Sequence, residues 1–243
     1  MRVLLIDIET APATAYVWSL RDRYIPIERL ITPGHTLCFA AKWLGEREVI
    51  FRSVQSGDRK AVVKAAHKLL DEADAVCHYN GRKFDIPVLE AEFLTHGMRP
   101  PSPFHQIDLY ATAKRFALPS RKLDYISQHL DLGRKTKHKG MELWTACMGS
   151  DPSAWRVMER YNRQDIRLLE RLYNVLRPWI KDHPNHSIAD GECCPTCGSH
   201  NLRWKGWRES ITRRYRRFVC NDCGAWGRAV KSEPGTAITR SLA

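Results

Sequence analysis

The stretch VLLIDIET, residues 3–10, places two carboxylates inside an apolar run. Asp7 and Glu9 are two positions apart, so on a β-strand their side chains point to the same face. An ionised carboxylate beside apolar residues is costly unless a cation or strong hydrogen bonds compensate it. A bare Asp-x-Glu pair also fits an ordinary strand end with solvated acids. The pair therefore indicates a metal site only if other segments supply further acids.

Two later segments supply them. Asp85 follows the tight-turn dipeptide Asn80–Gly81 in HYNGRKFDIPVL, although capping of the next helix would also explain it. Asp165 in YNRQDIRLLE lies four residues after Tyr161, so both side chains approach the same point on one helix. It falls on the apolar stripe of that helix, where a solvated carboxylate is not expected. Together the segments predict one metal site formed by Asp7, Glu9, Asp85 and Asp165.

The order of the predicted elements indicates an α/β fold. Strands are expected at about 2–8, 36–44 and 48–54, then a helix at 61–73, a strand at 74–80, a helix at 84–97 and a strand at 105–110. The longest predicted helix is 152–176, with Asp151 as its cap and Pro152 at its first position. Three strands followed by alternating helix and strand predict a ribonuclease H-like fold, a mixed five-stranded sheet flanked by helices.

In combination the acidic motifs resemble the DEDD superfamily of 3′-to-5′ exonucleases, in its tyrosine-bearing branch. DIET at 7–10, YNGRKFDIP at 79–87 and YNRQD at 161–165 are similar to three motifs of the proofreading domains of family B DNA polymerases and their stand-alone relatives. KLDYISQHLDLG at 122–133 resembles the segment between the second and third motifs, and the similarity covers about residues 1–180. The histidine branch would carry His five residues before the last Asp, where this chain has Arg160. No segment resembles a polymerase palm or fingers, so we expect an independent nuclease.

The resemblance implies hydrolysis of phosphodiester bonds with two Mg²⁺ or Mn²⁺ ions, which prefer oxygen ligands. It implies that Asp7 bridges both ions, that Glu9 and Asp165 serve the ion that activates water, and that Asp85 helps to hold the other. Tyr161 would orient the attacking water and not remove its proton, because a phenol has a reference pKa near 10.

Three further residues are candidates near this site. Thr10 and Asn80, within the first two motifs, are expected to contact the substrate strand. Asp108 in QIDLY is a further acid, better explained as a helix cap.

The sequences Cys194-Pro-Thr-Cys197 and Cys220-Asn-Asp-Cys223 form two Cys-x-x-Cys turns. They resemble a zinc ribbon, with one structural Zn²⁺ bound by the four cysteines. Cys193 leaves the first ligand ambiguous, and a redox-active dithiol is the less supported alternative. A module of about 40 residues buries too little surface to fold alone, so we expect its folding to require zinc. The other cysteines, Cys38, Cys77 and Cys147, are expected to be buried apolar residues.

Positive charge is concentrated at the C-terminus. The chain has a net charge of +12, and residues 191–243 hold ten Lys or Arg against four Asp or Glu. Basic residues interleaved with aromatic ones suit single-stranded nucleic acid, because the cations neutralise phosphates and the rings stack on bases. The alternative is that the rings form the core of the ribbon and the arginines its solvated surface. The predicted contacts are Trp204, Lys205, Trp207, Arg213, Arg214, Arg216 and Arg217.

These patterns predict a nuclease domain at 1–181, a linker at 182–192, a zinc ribbon at 193–231 and a flexible tail at 232–243. The expected function is a metal-dependent 3′-to-5′ exonuclease acting on single-stranded or frayed ends of DNA, with the ribbon binding nucleic acid or a replication or repair protein. The basic run at 133–139 either borders the active-site channel or is a plain exposed loop. Two alternatives stay open: an exoribonuclease using the same site, and a non-catalytic adaptor that binds nucleic acid.

The expected location is the cytoplasm of a bacterium or of a phage-infected host cell. The five clustered cysteines suit a metal site in a reducing compartment better than a disulfide framework. No apolar run approaches the length of a membrane helix or of an export signal.

Overall fold

The structure is a computed structural model, and it describes residues 1–21, 24–210 and 213–234. The chain divides into two compact units, residues 1–173 and 174–243. No helix among the described residues is long and apolar enough to cross a bilayer.

The first unit contains most of the regular structure. Its strands are β1 (Val3–Ala11), β2 (Thr14–Ala15), β3 (Leu30–Thr32), β4 (His35–Trp43), β5 (Ile50–Ser53), β6 (Ala75–His78) and β7 (His105–Asp108). Its helices are α1 (Arg59–Asp71), α2 (Asp85–Thr95), α3 (Leu109–Ala113), α4 (Leu123–His129), α5 (Met141–Met148) and α6 (Pro152–Leu176), whose last turn lies in the second unit. β2 and β3 form a separate small ribbon.

Five strands form one mixed sheet in the order β5-β4-β1-β6-β7. β1 pairs antiparallel with β4 and parallel with β6, so it lies at the centre of the sheet. The pairing of β1 with β4 shifts between Glu9 and Thr10, which is a β-bulge beside the predicted acidic pair. The predicted ribonuclease H-like fold class is confirmed.

The two faces of the sheet carry different cores. Leu4, Ile6 and Ile8 of β1 belong to a buried cluster that includes apolar residues of α1 and α2. A second cluster joins β1 and β4 to α5 and α6 through Ala11, Leu37, Cys38, Leu143, Cys147, Trp155, Met158 and Tyr161. Because side chains alternate along a strand, Asp7 and Glu9 point away from the first cluster.

The second unit contains α7 (Ser187–Asp190), β8 (Leu202–Glu209), β9 (Arg213–Cys220), β10 (Trp226–Arg228) and β11 (Glu233–Pro234). β9 is central, with β8 on one side and β10 and β11 on the other, all antiparallel. A small cluster of Cys194, Cys220 and Ala225 forms its core, with Cys197, Leu202 and Cys223 packed against it.

Several sequence expectations differ in detail from the structure. The short helices α4 and α5 were not predicted, because neither sequence has a long apolar period. α7 lies inside the expected linker, and Glu233–Pro234 of the expected tail pairs with β9. The remainder of that tail, residues 235–243, lies outside the described residues. The helix 152–176 has its predicted bounds, and Asp151 accepts a hydrogen bond from the Ser153 amide at 2.7 Å.

Candidate active site

Three carboxylates from two distant parts of the first unit converge on one point. Asp7 and Glu9 come from β1 and Asp165 from α6, and one oxygen of each lies within 4.8 Å of the others. Asp165 is 1 % exposed. The Asn162 side chain amide donates to Asp7 Oδ2 at 2.7 Å and fixes that carboxylate against α6. Asn162 was not recognised from the sequence, because a polar residue next to Tyr161 carries no distinct signal.

Asp85 is held next to this group by the backbone of β1. Its Oδ1 accepts a hydrogen bond from the Ile8 amide at 3.0 Å, and the residue is 4 % exposed. Asp85 is the first residue of α2, and the turn before it depends on Gly81. A Cβ on Gly81 would lie 2.5 Å from the His78 ring and 3.0 Å from Asp85 Oδ2. The turn therefore needs glycine so that strand β6 and helix α2 can bring Asp85 to β1.

Tyr161 and Lys135 complete the group. Lys135 Nζ lies 2.6 Å from Asp165 Oδ2 and 3.3 Å from the Tyr161 hydroxyl oxygen. The Lys135 amide donates to Asp124 Oδ1 at 2.9 Å, which anchors this loop to α4. The basic run 133–139 thus brings one of its cations to the acids. Nothing in its sequence singled out Lys135 among the neighbouring basic residues.

Burial and mutual repulsion raise the pKa values of these carboxyl groups. Burial is the main cause for Asp7, followed by repulsion from Glu9, Asp85 and Asp165. It raises the pKa of Glu9 to about 8 and that of Asp85 to about 6. The pKa of Asp165 is also raised by burial, although Lys135 opposes this shift. The ammonium group of Lys135 alone does not compensate this repulsion, so keeping all these carboxyl groups ionised costs free energy.

The donor set fits divalent metal ions. Asp165 Oδ1 is buried and has no hydrogen-bond partner among the described residues, which leaves an orphaned acceptor beside Asp7 and Glu9. Hard cations such as Mg²⁺ and Mn²⁺ prefer carboxylate oxygens and would relieve both the repulsion and the missing partner. The three converging acids therefore fit a divalent ion, and Asp85 lies beside them without being a member of the cluster.

A cleft of about 850 Å³ opens beside the acids and has Asp7 and Lys135 in its lining. Asn80, with a positive φ of 67°, lies in the wall of the cleft. Its backbone amide donates a hydrogen bond to Asp108 Oδ1 at 2.9 Å. Asp108 also accepts from the Tyr110 amide at 3.0 Å, so it is a helix cap as expected. Thr10 is partly buried and pairs with β4 just beyond the bulge, where β4 has the extra residue Leu37. The other lining residues are Tyr79, Tyr110, Leu118, Pro119, Ser120, Arg121, Lys122, Leu123 and Asp124.

The second unit brings four thiols together. One Sγ each of Cys194, Cys197, Cys220 and Cys223 lies within 4.8 Å of the others. Cys194 and Cys223 are 3.7 Å apart, and Cys197 and Cys220 are 3.6 Å apart. Tetrahedral zinc with Zn–S bonds of about 2.3 Å puts sulfur atoms about 3.8 Å apart, so the thiols fit this ion.

The structure also places the remaining cysteines. Cys193 is buried and is not a member of the four-thiol cluster, so the geometry favours Cys194 as the first ligand. Cys38, Cys77 and Cys147 are buried as expected.

The residues of the second unit that were predicted to contact nucleic acid lie on β8 and β9. Lys205 is exposed at a bulge between Trp204 and Trp207. The two tryptophans are half-buried and stack with arginines: Arg216 lies 4.9 Å from the ring of Trp204, and Arg214 lies 4.5 Å from that of Trp207. Arg213 and Arg217 are exposed.

Comparisons with known proteins agree with this fold. A solved structure of the family B DNA polymerase from the hyperthermophilic archaeon Pyrobaculum calidifontis is similar over 73 % of this chain, with 19 % sequence identity and a TM-score of 0.55. The similarity covers 24 % of that polymerase, so the chain spans about a quarter of its length. A search of curated protein sequences finds no significant match. The family model of the RNase H superfamily matches residues 25–177, more than half of the sequence, and the chain therefore belongs to the RNase H superfamily.

Proposed function

We propose that this protein is a metal-dependent 3′-to-5′ exonuclease that removes nucleotides from DNA. The convergence of Asp7, Glu9 and Asp165 at one point, with an orphaned carboxylate oxygen, carries this proposal. Membership of the RNase H superfamily supports a nuclease in general. The direction and the choice of DNA rest on the resemblance of the three acidic motifs to the tyrosine branch of DEDD exonucleases.

Asp7, Glu9, Asp85 and Asp165 would hold two Mg²⁺ or Mn²⁺ ions. Such ions supply a nucleophile at neutral pH and stabilise negative charge on the attacking and leaving oxygens. The hydrogen bonds from the Ile8 amide to Asp85 and from Asn162 to Asp7 keep these carboxylates in place before substrate arrives. Preorganised ligands of this kind lower the cost of reaching the transition state.

Tyr161 acts as an orienting group in this proposal. Burial, and then the charges of Glu9 and Asp165, raise the pKa of its hydroxyl group above the ordinary value of 10. The hydroxyl therefore keeps its proton at neutral pH, and it can donate a hydrogen bond to the scissile phosphate or accept one from the attacking water. It does not act as a general base.

The cleft beside Asp7 would bind the 3′ end of the nucleic-acid strand. Its lining combines the aromatic residues Tyr79 and Tyr110 with the cations Arg121, Lys122 and Lys135. Rings offer stacking surface to bases and cations neutralise phosphates. The second unit, with its basic and aromatic hairpin, would also bind nucleic acid.

The polarity and the sugar preference can be tested together. Single-stranded DNA and RNA oligonucleotides of one sequence, each labelled at either the 5′ or the 3′ end, are incubated with Mg²⁺ or Mn²⁺. We expect the 5′-labelled DNA to shorten stepwise and the 3′-labelled DNA to release a labelled mononucleotide at once. Faster loss of RNA would favour the exoribonuclease alternative. Metal-independent binding without cleavage of either polymer would favour the adaptor and refute the proposal.

A further inference from the structure

The sheet formed by β8, β9 and β10 has two faces that differ in chemistry. Side chains alternate along β9, and residues paired directly across antiparallel strands share a face. Trp204 pairs with Phe218 and Trp207 with Arg216, so these residues share the face that also carries Arg214. We call it the tryptophan face. The opposite face, the arginine face, carries Arg203, Arg208, Arg213, Arg217 and Arg228, with Tyr215 and Trp226 among them.

The ring contacts support this division. On the arginine face, Arg228 lies 4.0 Å from the centre of the Tyr215 ring and Arg217 lies 5.3 Å from that of Trp226. The contacts of Trp204 and Trp207 with arginines stay on the tryptophan face. Each of these four cation–ring contacts therefore joins two residues of the same face.

Several side chains of the tryptophan face pack within the second unit and are not free to contact a ligand. Trp204 packs edge-on against Phe218 with ring centres 5.3 Å apart, and Phe218 is 5 % exposed. A Cβ on Gly227 would lie 2.2 Å from the Phe218 ring, so this glycine is needed to seat it. Acids balance the cations here, because Glu209 and Glu233 both pair across from Arg214, and Glu233 lies 3.9 Å from it.

On the arginine face, no acidic side chain of the described strands offsets the positive charge. Among the described strand residues, its side chains include five arginines and no acid, and none of these arginines forms an ion pair. Arg203, Arg208, Arg213, Arg217 and Arg228 are all exposed. Trp226 is 55 % exposed, so its ring and the guanidinium stacked on it are both open to a ligand. A surface with this excess of uncompensated cations suits a polyanion.

We propose that the arginine face binds a single nucleic-acid strand. Phosphates would pair with the five guanidinium groups, and unpaired bases would stack on Trp226, on Tyr215 or on the arginine planes above them. This inference deepens the proposed function and rests on it, because it assumes a nucleic-acid substrate. Of the residues predicted from the sequence, Arg213 and Arg217 lie on the proposed binding face, whereas Trp204, Trp207, Arg214 and Arg216 lie on the other.

Two neighbouring arginines provide a matched test. Arg216 and Arg217 are both exposed and both stack on a tryptophan, but they lie on opposite faces. R216Q, R217Q and W226A are each made in the full chain carrying D165N, so that the strand is not cut. Binding is measured by fluorescence anisotropy with a labelled single strand of about 20 nucleotides, as DNA and as RNA, over a range of salt concentrations.

We expect R217Q to weaken binding about fivefold and to reduce the salt slope by about 0.7, the value for one lost contact to a single strand. W226A should weaken binding by about fivefold or more through lost stacking. R216Q should stay within about twofold of its parent. Zinc content and the melting transition are compared for every variant, and these should not differ.

Three outcomes overturn the inference. An effect of R216Q as large as that of R217Q would show that the assigned face is wrong. Unchanged binding in all three variants would show that the hairpin does not hold the strand. Binding of blunt duplex in preference to single strands would show that base stacking is not used.

The assay also separates this inference from the proposed function. If the wild-type chain cuts DNA while R217Q and W226A bind normally, only the inference fails. If these variants lose binding but the wild-type chain cuts neither polymer, the exonuclease proposal fails and the binding face stands.

Discussion

Asp165 and Tyr161 are four residues apart on α6 but should contribute unequally to turnover. In the proposed mechanism, Asp165 would offer its orphaned carboxylate oxygen to a metal ion, whereas Tyr161 would only orient the reactants through a hydroxyl group that keeps its proton. We expect D165N to lower kcat by about 1,000-fold or more and Y161F by about 10- to 100-fold. Release of nucleotides under saturating metal is the measurement, with Arg167→Gln, exposed on the same helix, as the control. Equal and complete loss in both variants would contradict this division of roles.

Glu9 should make the stability of the metal-free protein depend on pH. Burial raises its pKa from 4.5 to about 8, so between these values the folded chain binds more protons than the unfolded chain. Stability therefore falls as pH rises through this window. We expect the Tm of the metal-free protein to decrease from pH 5 to about pH 8 and the decrease to be smaller in E9Q. Differential scanning calorimetry checks this, and an identical pH dependence in E9Q would refute it.

Lys135 should compete with metal ions for the acids. Burial alone lowers its pKa, but Asp165 and Asp7 outweigh this effect and hold the group above its ordinary value. It is therefore a cation at neutral pH. We expect K135M to lower the stability of the metal-free protein by about 1.5–3 kcal/mol, the value of a charged hydrogen bond, and to tighten Mn²⁺ binding.

Titration calorimetry with Mn²⁺ measures the second effect. Lys137→Met is the control, because Lys137 is exposed on the same loop. Weaker Mn²⁺ binding by K135M would mean that Lys135 supports the metal site and does not compete with it.

Some residues of the candidate site could be predicted from the sequence and others could not. Asp7, Glu9 and Asp165 could be recognised because each carboxylate lies in an apolar period. Lys135 and Asn162 could not, because a lysine in a polar loop and an asparagine on a helix are ordinary. Their roles depend on contacts across 30 and 155 residues of chain. The sequence pattern around a residue does not show which distant residue it will contact in the folded chain.

At the level of elements, the turn between β6 and α2 is the most demanding piece of local structure near the site. A methyl group on Gly81 would overlap the His78 ring and crowd Asp85, and both neighbours are buried. We expect G81A to destabilise the first unit by about 1–3 kcal/mol, as overpacking does, and to reduce turnover by displacing Asp85.

Urea unfolding and turnover measure these two effects. Gly57→Ala is the control, because Gly57 is exposed and its added Cβ would meet only Ala61 at 3.7 Å. Unchanged stability and turnover in G81A would show that the turn tolerates a side chain.

The elements differed in how far the sequence predicted them. The bounds of α6 were correct because its apolar period is long and Asp151 caps it. β1 and β4 were also predicted, since buried strands are rich in apolar residues. The helices α4 and α5 have only seven and eight residues, so their periods are too short to distinguish from a loop.

For the whole molecule, we propose that the four thiols of the second unit bind structural zinc, so the two units should respond differently to its removal. The second unit has a core of only a few residues around its four thiols, whereas the first has two large apolar clusters. Structural zinc contributes about 10–16 kcal/mol to the folding of such modules. We expect verified zinc removal to abolish protection from hydrogen exchange in β8 and β9 while β1 and β4 stay protected. Protection of β9 after complete zinc loss would contradict this.

We propose that the carboxylates on β1, α2 and α6 together form a metal-dependent exonuclease site. The most direct test follows release of the terminal nucleotide from 3′-labelled single-stranded DNA by the wild-type chain and by D165N, each with and without Mn²⁺. We expect rapid release by the wild-type chain with Mn²⁺ and almost none in the other three reactions. Release that persists in D165N, or in the wild-type chain without added metal, would contradict it.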